Sequence, residues 1–173
     1  AKTRPAAEIG GDCYDFIPLK DHTILYLGDV TGHGLESGVV MLMVQMGIRT
    51  LLASEESDTT RIFSILNRAI YDNVARMNTD KSLSLIILDY QDGRIKASGQ
   101  HEEIIVVRKD GQIERMDTME LGFPIGLDDE IGRHVNETLI NLEPGDGIVL
   151  YTDGITEAEN IANEQYNLER LCT

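Results

Sequence analysis

Apolar residues change their spacing along this chain, and each change predicts a new element. The stretch "HTILYLGD" (22–29) is rich in strand-forming residues and closes on Gly-Asp, which predicts a buried strand. "LESGVVMLMVQMGIRTLLAS" (35–54) is apolar on nearly every face and predicts a buried helix, with Gly38 and Gly47 at points of close packing. "SDTTRIFSILNRAIYDNVARMN" (57–78) opens on a cap, Ser57 or Asp58. Its apolar positions 62, 66, 69, 70, 74 and 77 keep helical spacing, as expected of a helix laid on a sheet. From residue 82 onward the period is two. "SLSLIILDY", "RIKASG", "EIIVVRK", "QIERMD", "HVNETLINL" and "GIVLYTD" read as short strands, with tight turns at "QDG", "KDG" and "EPGD". Two consecutive helices followed by hairpin-linked strands predict an α+β fold with helices on an antiparallel sheet, not a βαβ alternation.

The 173 residues suffice for one domain with a core, and we expect a single domain over 1–173. The last stretch, "NLERLCT", stops inside a predicted helix, so a fragment of a longer protein is expected. Leu, Ile, Val and Met must fill the core, because there is no Trp and only 3 Phe. A formal net charge of −15 argues against a nucleic-acid partner, which needs clustered Lys and Arg. "GVVMLMVQMGI" is too short and interrupted to predict a membrane span, and no signal peptide is visible. Cys13 and Cys172 have neither metal-ligand spacing nor a disulfide pattern, which predicts a reducing, cytoplasmic setting.

Three segments share one device. "EIGGDCYDF" places Asp12 after two glycines, "LGDVTGHG" places Asp29 after one, and "LYTDGITEAEN" places Asp153 before one. Each alone reads as a turn former. Together they predict carboxylates gathered at strand ends, where they need a cation or raise each other's pKa. Oxygen-only ligation favours Mg²⁺ or Mn²⁺ over Zn²⁺. Two such ions can hold and acidify a water and clamp a phosphoryl group. On that reading Thr31 and His33 are not a nucleophile and its base, and His33 is a supporting or turn residue. No G-x-S-x-G elbow is present. Cys13 has Leu19, not Arg, six residues on, so a cysteine-phosphatase loop is excluded, and the thiol is expected to be a filler. "GQHEEII" lacks the second histidine of a zinc-protease helix. "GHGLESG" mimics a dinucleotide loop at Gly32 and Gly34, but Ser37 stands at the third position and no parallel strand follows.

Taken together, "EIGGDCYDF", "LGDVTGHGLESG", "SGQHEEIIV", "GFPIGLDDE" and "LYTDGITEAEN…YNLERL" resemble the SpoIIE/RsbU-type branch of the bacterial PP2C (PPM) serine/threonine phosphatases, from Glu8 to Leu171. "SGQHEEIIV" departs from the Gly-His-Pro found in many relatives. The resemblance implies an αββα sandwich of mostly antiparallel sheets and Mn²⁺- or Mg²⁺-dependent hydrolysis of phosphoserine or phosphothreonine, with two ions in the complete domain. It carries metal ligation to Asp12, Asp29 (bridging), the Val30 carbonyl and Asp153. Gly11, Gly32 and Gly154 support the turns, and Asp15 and Glu8 are weaker, structural candidates. It further implies a phosphorylated protein substrate of the STAS (anti-sigma-factor antagonist) type and an upstream sensor or receiver domain. The family's last metal aspartate lies in a strand beyond Thr173, so truncation at both ends and an impaired site are expected here. A module that senses or docks without turnover is the alternative. The segment 116–130, with Met116, Met119, Leu121 and Phe123, is a candidate docking surface.

Overall fold

In a computed structural model, described here for residues 9–173, eight strands form two antiparallel sheets. The larger sheet has the order β1 (Cys13–Pro18), β2 (Thr23–Val30), β3 (Leu83–Gln91), β4 (Arg94–Ser98) and β7 (Glu137–Asn141). The smaller has the order β6 (Ile113–Met116), β5 (Ile104–Val107) and β8 (Gly147–Val149). Two helices, α1 (Leu35–Ala53) and α2 (Thr59–Met77), separate β2 from β3.

The apolar pattern explains the layering. Val40, Val44 and Ile48 of α1 and Ile62, Leu66, Ile70 and Val74 of α2 pack on Ile24, Tyr26, Leu83, Leu85 and Ile87 of the sheet. Leu27, Ile86, Leu88, Ile95 and Ala97 face the other way and meet Ile104 and Val106 of the smaller sheet. Strands β2 and β3 are therefore buried on both faces, which is why "LSLIIL" runs nearly unbroken instead of alternating. The result is a helix–sheet–sheet stack. Two short helices, α3 (Asp153–Thr156) and α4 (Asn167–Leu171), follow β8, and Glu169 of α4 reaches the smaller sheet through an ion pair with Arg115 at 3.2 Å.

Local chemistry sets the element ends. The Asp58 carboxylate accepts the Arg61 N–H at 3.0 Å and caps α2, which ends on Asn78 in the left-handed region. Asp92 and Gly93, at φ 48° and 79°, close the β3–β4 turn. Gly47 lets α2 approach closely: a Cβ there would stand 2.6 Å from Leu66 Cδ1, so that side chain would have to shift.

Three expectations need correction. First, α1 is not buried all round: Leu42 and Met46 are 60% and 67% exposed, because the sheet and α2 cover only one flank. Second, at 19 residues and a mean hydropathy of 1.3, α1 is long and apolar enough to cross a bilayer by length and composition; here its buried face packs against the sheet and α2. Third, residues 13–18 form a strand, β1, that the apolar spacing does not predict. It is an edge strand in which Cys13, Asp15 and Ile17 face inward and Tyr14, Phe16 and Pro18 face outward, the two aromatics into a cleft, so its most apolar side chains do not mark the buried face. Part of the segment 116–130 packs against the sheet end. Thr118, Leu121 and Ile125 are buried, and Ile125 bridges Leu83, while Met119, Phe123 and Leu127 stay exposed.

Candidate metal and phosphate site

The strand ends of the two sheets meet where the aspartates stand. Asp29 is the penultimate residue of β2, paired across the ladder with Ser84 of β3. Asp12 immediately precedes β1, and Asp153 opens α3 just beyond β8. Gly11 is buried against Val30: a Cβ at Gly11 would lie 2.6 Å from the Val30 carbonyl oxygen. Glycine is thus what allows the Asp12 segment to pass so close to that carbonyl. Thr152, the residue before Asp153, donates its hydroxyl to Asp12 Oδ2 at 3.3 Å, joining segments 140 residues apart. An open cleft of about 590 Å³ extends from Asp12 and Thr152 along Tyr14, Phe16, Leu27 and Ile155.

The electrostatics register the crowding. Asp29 is half-buried, and its pKa is pushed up from 3.8 to about 7. Burial is the largest cause, followed by the charges of Asp12 and Asp153, a hydrogen bond shared with Asp12, and the charge of Glu102. Glu102 is itself raised by burial, then by Asp153, Glu157 and Glu103. It is a fourth carboxylate at the site that the sequence reading did not single out; its one signal was its place in the unusual "SGQHEEIIV". Among the described residues, no three His, Cys, Asp or Glu side chains already enclose a point where an ion would sit. The carboxylates instead face one another at electrostatic range. An all-oxygen donor set with one carboxylate held near neutrality by its neighbours suits a hard divalent cation.

The other candidates are placed as follows. The Thr31 hydroxyl accepts the Ser82 N–H at 3.1 Å, and the Thr31 carbonyl accepts from the Ser37 hydroxyl. These are bonds that shape the turn. His33 is exposed on the same turn. Gly32 has φ 72°, which favours glycine. Gly154 has no such need: it lies in α3, and a Cβ there would only touch Thr152 Oγ1 at 4.0 Å, an ordinary contact, so the expectation that it shapes a turn is not matched by a steric requirement. Asp15 pairs with Arg49 of α1 at 2.5 Å and so ties β1 to the helix. Glu8 lies outside the described residues. Cys13 is buried, and its thiol is pushed up to about 12 by burial and then by Asp12 and Asp29, which keeps it protonated and inert.

In the sequence, His101 stands out only as the first histidine of a zinc-protease pattern that fails. Its ring lies between Ser84 Oγ, 2.8 Å from Nδ1, and the Tyr151 carbonyl, 3.0 Å from Nε2. Burial lowers its pKa.

Paired antiparallel sheets under a helical layer, with acidic residues at the strand ends, define the PP2C phosphatase fold. The SiaA-PP2C domain of Pseudomonas aeruginosa matches with a TM-score of 0.76 and 18% identity, over 97% of this chain and 66% of that one. The RsbU and RsbW domains of a Mycobacterium tuberculosis protein match with a TM-score of 0.71 and 23% identity, over 89% of this chain and 42% of that one. The Stage II sporulation protein E (SpoIIE) family model matches residues 20–173, and the chain belongs to that family. The phosphoserine phosphatase RsbU of Bacillus subtilis is 26% identical over 170 residues, covering 96% of this chain and 49% of RsbU. The chain thus spans about half the length of that curated relative.

Proposed function

We propose that this chain is the catalytic domain of a metal-dependent protein phosphatase that hydrolyses phosphoserine or phosphothreonine on a regulatory protein. The carrying observation is that the strand ends gather Asp12, Asp29 and Asp153 beside the Val30 carbonyl, a crowding that pushes the Asp29 pKa up to about 7. Such crowding is tolerable where a cation neutralises it. Family membership and the likeness to RsbU support the reaction class.

Asp12, Asp29 and Asp153 would hold Mn²⁺ or Mg²⁺ through carboxylate oxygens, with the Val30 carbonyl as a neutral fourth donor. Bound there, a pair of divalent ions supplies Lewis acidity toward phosphoryl oxygens and an activated water. The chain's own residues do the positioning. Thr152 orients Asp12 by donating to Oδ2, and the close passage at Gly11 brings the Val30 carbonyl beside Asp12. The turn after β2 is held by the Thr31 and Ser37 hydroxyls, which gives both a structural task.

The substrate we propose is a folded, phosphoserine-bearing protein of the STAS type, with an upstream sensor or receiver domain as regulator and the cytoplasm as the place of action. A chain of net charge −15 repels acidic phosphoproteins at long range, so recognition falls to docking at close approach. The test is release of phosphate from a phosphoserine STAS protein, with Mn²⁺, with Mg²⁺ and with EDTA, for wild type and Asp29→Asn. Metal-dependent turnover lost in the variant supports the reading. Metal-independent turnover overturns it, and metal binding without turnover points to the docking module instead. A kcat/KM equal for the folded phosphoprotein and its excised phosphopeptide would sink the docking proposal.

A further inference from the structure

His101 belongs to no strand, yet it touches both sheets. It sits in the loop after β4, where the Gln100 carbonyl accepts the Leu85 N–H at 2.8 Å. Its own N–H donates to the buried Thr118 hydroxyl oxygen at 2.9 Å, so its backbone is fixed before its ring is considered. On one side of the ring is Ser84 Oγ, from the larger sheet. On the other is the carbonyl of Tyr151, two residues beyond β8 of the smaller sheet.

The chemistry of the partners assigns the protons. A carbonyl only accepts, so Nε2 carries the hydrogen. In a neutral ring Nδ1 is then an acceptor, and Ser84 donates to it. The chain Ser84 Oγ–H to Nδ1 and Nε2–H to the Tyr151 carbonyl is complete, with both ring nitrogens used. Ser84 is the cross-strand partner of Asp29, and Tyr151 lies two residues before Asp153. The imidazole is therefore a rigid spacer between the segments that carry two of the site's carboxylates. Asp153 itself is exposed and heads a helix of only 4 residues, so its placement depends on what holds residues 151 and 152: the His101 ring and the Thr152–Asp12 bond.

We propose that His101 is a positioning residue: its neutral ring pins residues 151–153 to Ser84 and so sets Asp153 against Asp29. The inference rests on the cation-site reading above for its purpose, though not for its geometry. It assigns a structural task to the segment where "SGQHEEIIV" departs from many relatives.

The test uses wild type, His101→Ala, His101→Gln and Ser84→Ala, each read by Mn²⁺ titration calorimetry and by amide hydrogen exchange without metal. His101→Ala is expected to weaken Mn²⁺ binding on the order of 10-fold, as lost support of metal ligands commonly does. Amides at 153–157 should exchange faster while those of β2 and β3 keep their protection. His101→Gln can return an N–H to the Tyr151 carbonyl and should recover part of the affinity; Ser84→Ala should show a smaller loss than His101→Ala. The proposal is overturned if His101→Ala matches wild type in both readouts, or if exchange rises equally across both sheets, which would mark a mere packing role. Should His101→Ala fail to fold, the other two variants decide: wild-type affinity and exchange in both overturn the pin. If wild type itself binds no Mn²⁺, the cation-site reading fails, while the exchange comparison still tests the pin.

Discussion

Replacing Asp29 by Asn should stabilise the metal-free protein while abolishing its activity. Asp29 is the most crowded carboxylate of the site, and its pKa stands at about 7 against 3.8 for an unperturbed group. The folded state therefore binds that proton more tightly than the unfolded chain. Between about pH 4 and about pH 7 the unfolded chain has released this proton while the folded state still holds it, so rising pH favours unfolding and stability falls. Above about pH 7 the full cost is present; below about pH 4 it is absent. A shift of this size corresponds to about 4 kcal/mol at most. Asp29 is only half-buried and titrates together with its neighbours, so solvent screening and coupling reduce the figure to about 1–2 kcal/mol. For a chain of this size that is a melting temperature higher by roughly 2–8 °C in the Asn variant. The assay is thermal unfolding in EDTA at pH 8 and at pH 4.5. The variant should melt higher at pH 8, and the gap should shrink at pH 4.5. Adding Mn²⁺ should reverse the order, because wild type gains by ligand linkage and the variant gains little. A variant that melts lower than wild type in EDTA at pH 8, or that gains as much from Mn²⁺, would refute the reasoning.

Other expectations follow from single contacts. Thr31→Val removes the acceptor of the Ser82 N–H and should cost about 1 kcal/mol of stability while kcat stays within about threefold of wild type; loss of turnover with metal binding intact would restore Thr31 as a chemical participant. Cys13→Ala should retain activity and lose on the order of 1 kcal/mol, and iodoacetamide should label the native Cys13 far more slowly than the unfolded thiol, since burial holds its pKa near about 12. Gly99→Ala should cost about 3 kcal/mol or more, because φ is 94° and a Cβ would meet the Leu85 carbonyl and the Phe63 ring; a melting temperature within 2 °C of wild type, checked by calorimetry, would contradict this. Asp146 is held down to about 2, first by the Glu143 N–H and then by Arg108 and the Lys109 N–H. It should contribute stability that is present above about pH 4 and lost as pH falls toward about 2. Asp146→Asn should flatten that part of the acid unfolding curve.

What the sequence by itself determined was local. Asp58 caps a helix, Asp92-Gly93 and Pro144-Gly145 close turns, and residues 62, 66, 70 and 74 share a helix face whatever lies against it. Aspartates beside glycines were visible as candidates because Gly frees the backbone for close approach wherever it occurs. Periodicity, however, reports which face of an element is apolar, not what covers it. The exposure of Leu42 and Met46 on α1, and the edge position of β1 with Tyr14 and Phe16 in an open cleft, follow from how far the neighbouring layers extend. Nor does local pattern place Asp12 beside Thr152, across 140 residues, or crowd Asp29 until its proton stays on near neutral pH. Those depend on two sheets packing face to face, because charge interactions and desolvation act through space. The same holds for His101: its residue type offers a donor and an acceptor, but only the meeting of both sheets supplies the hydroxyl and the carbonyl that use them.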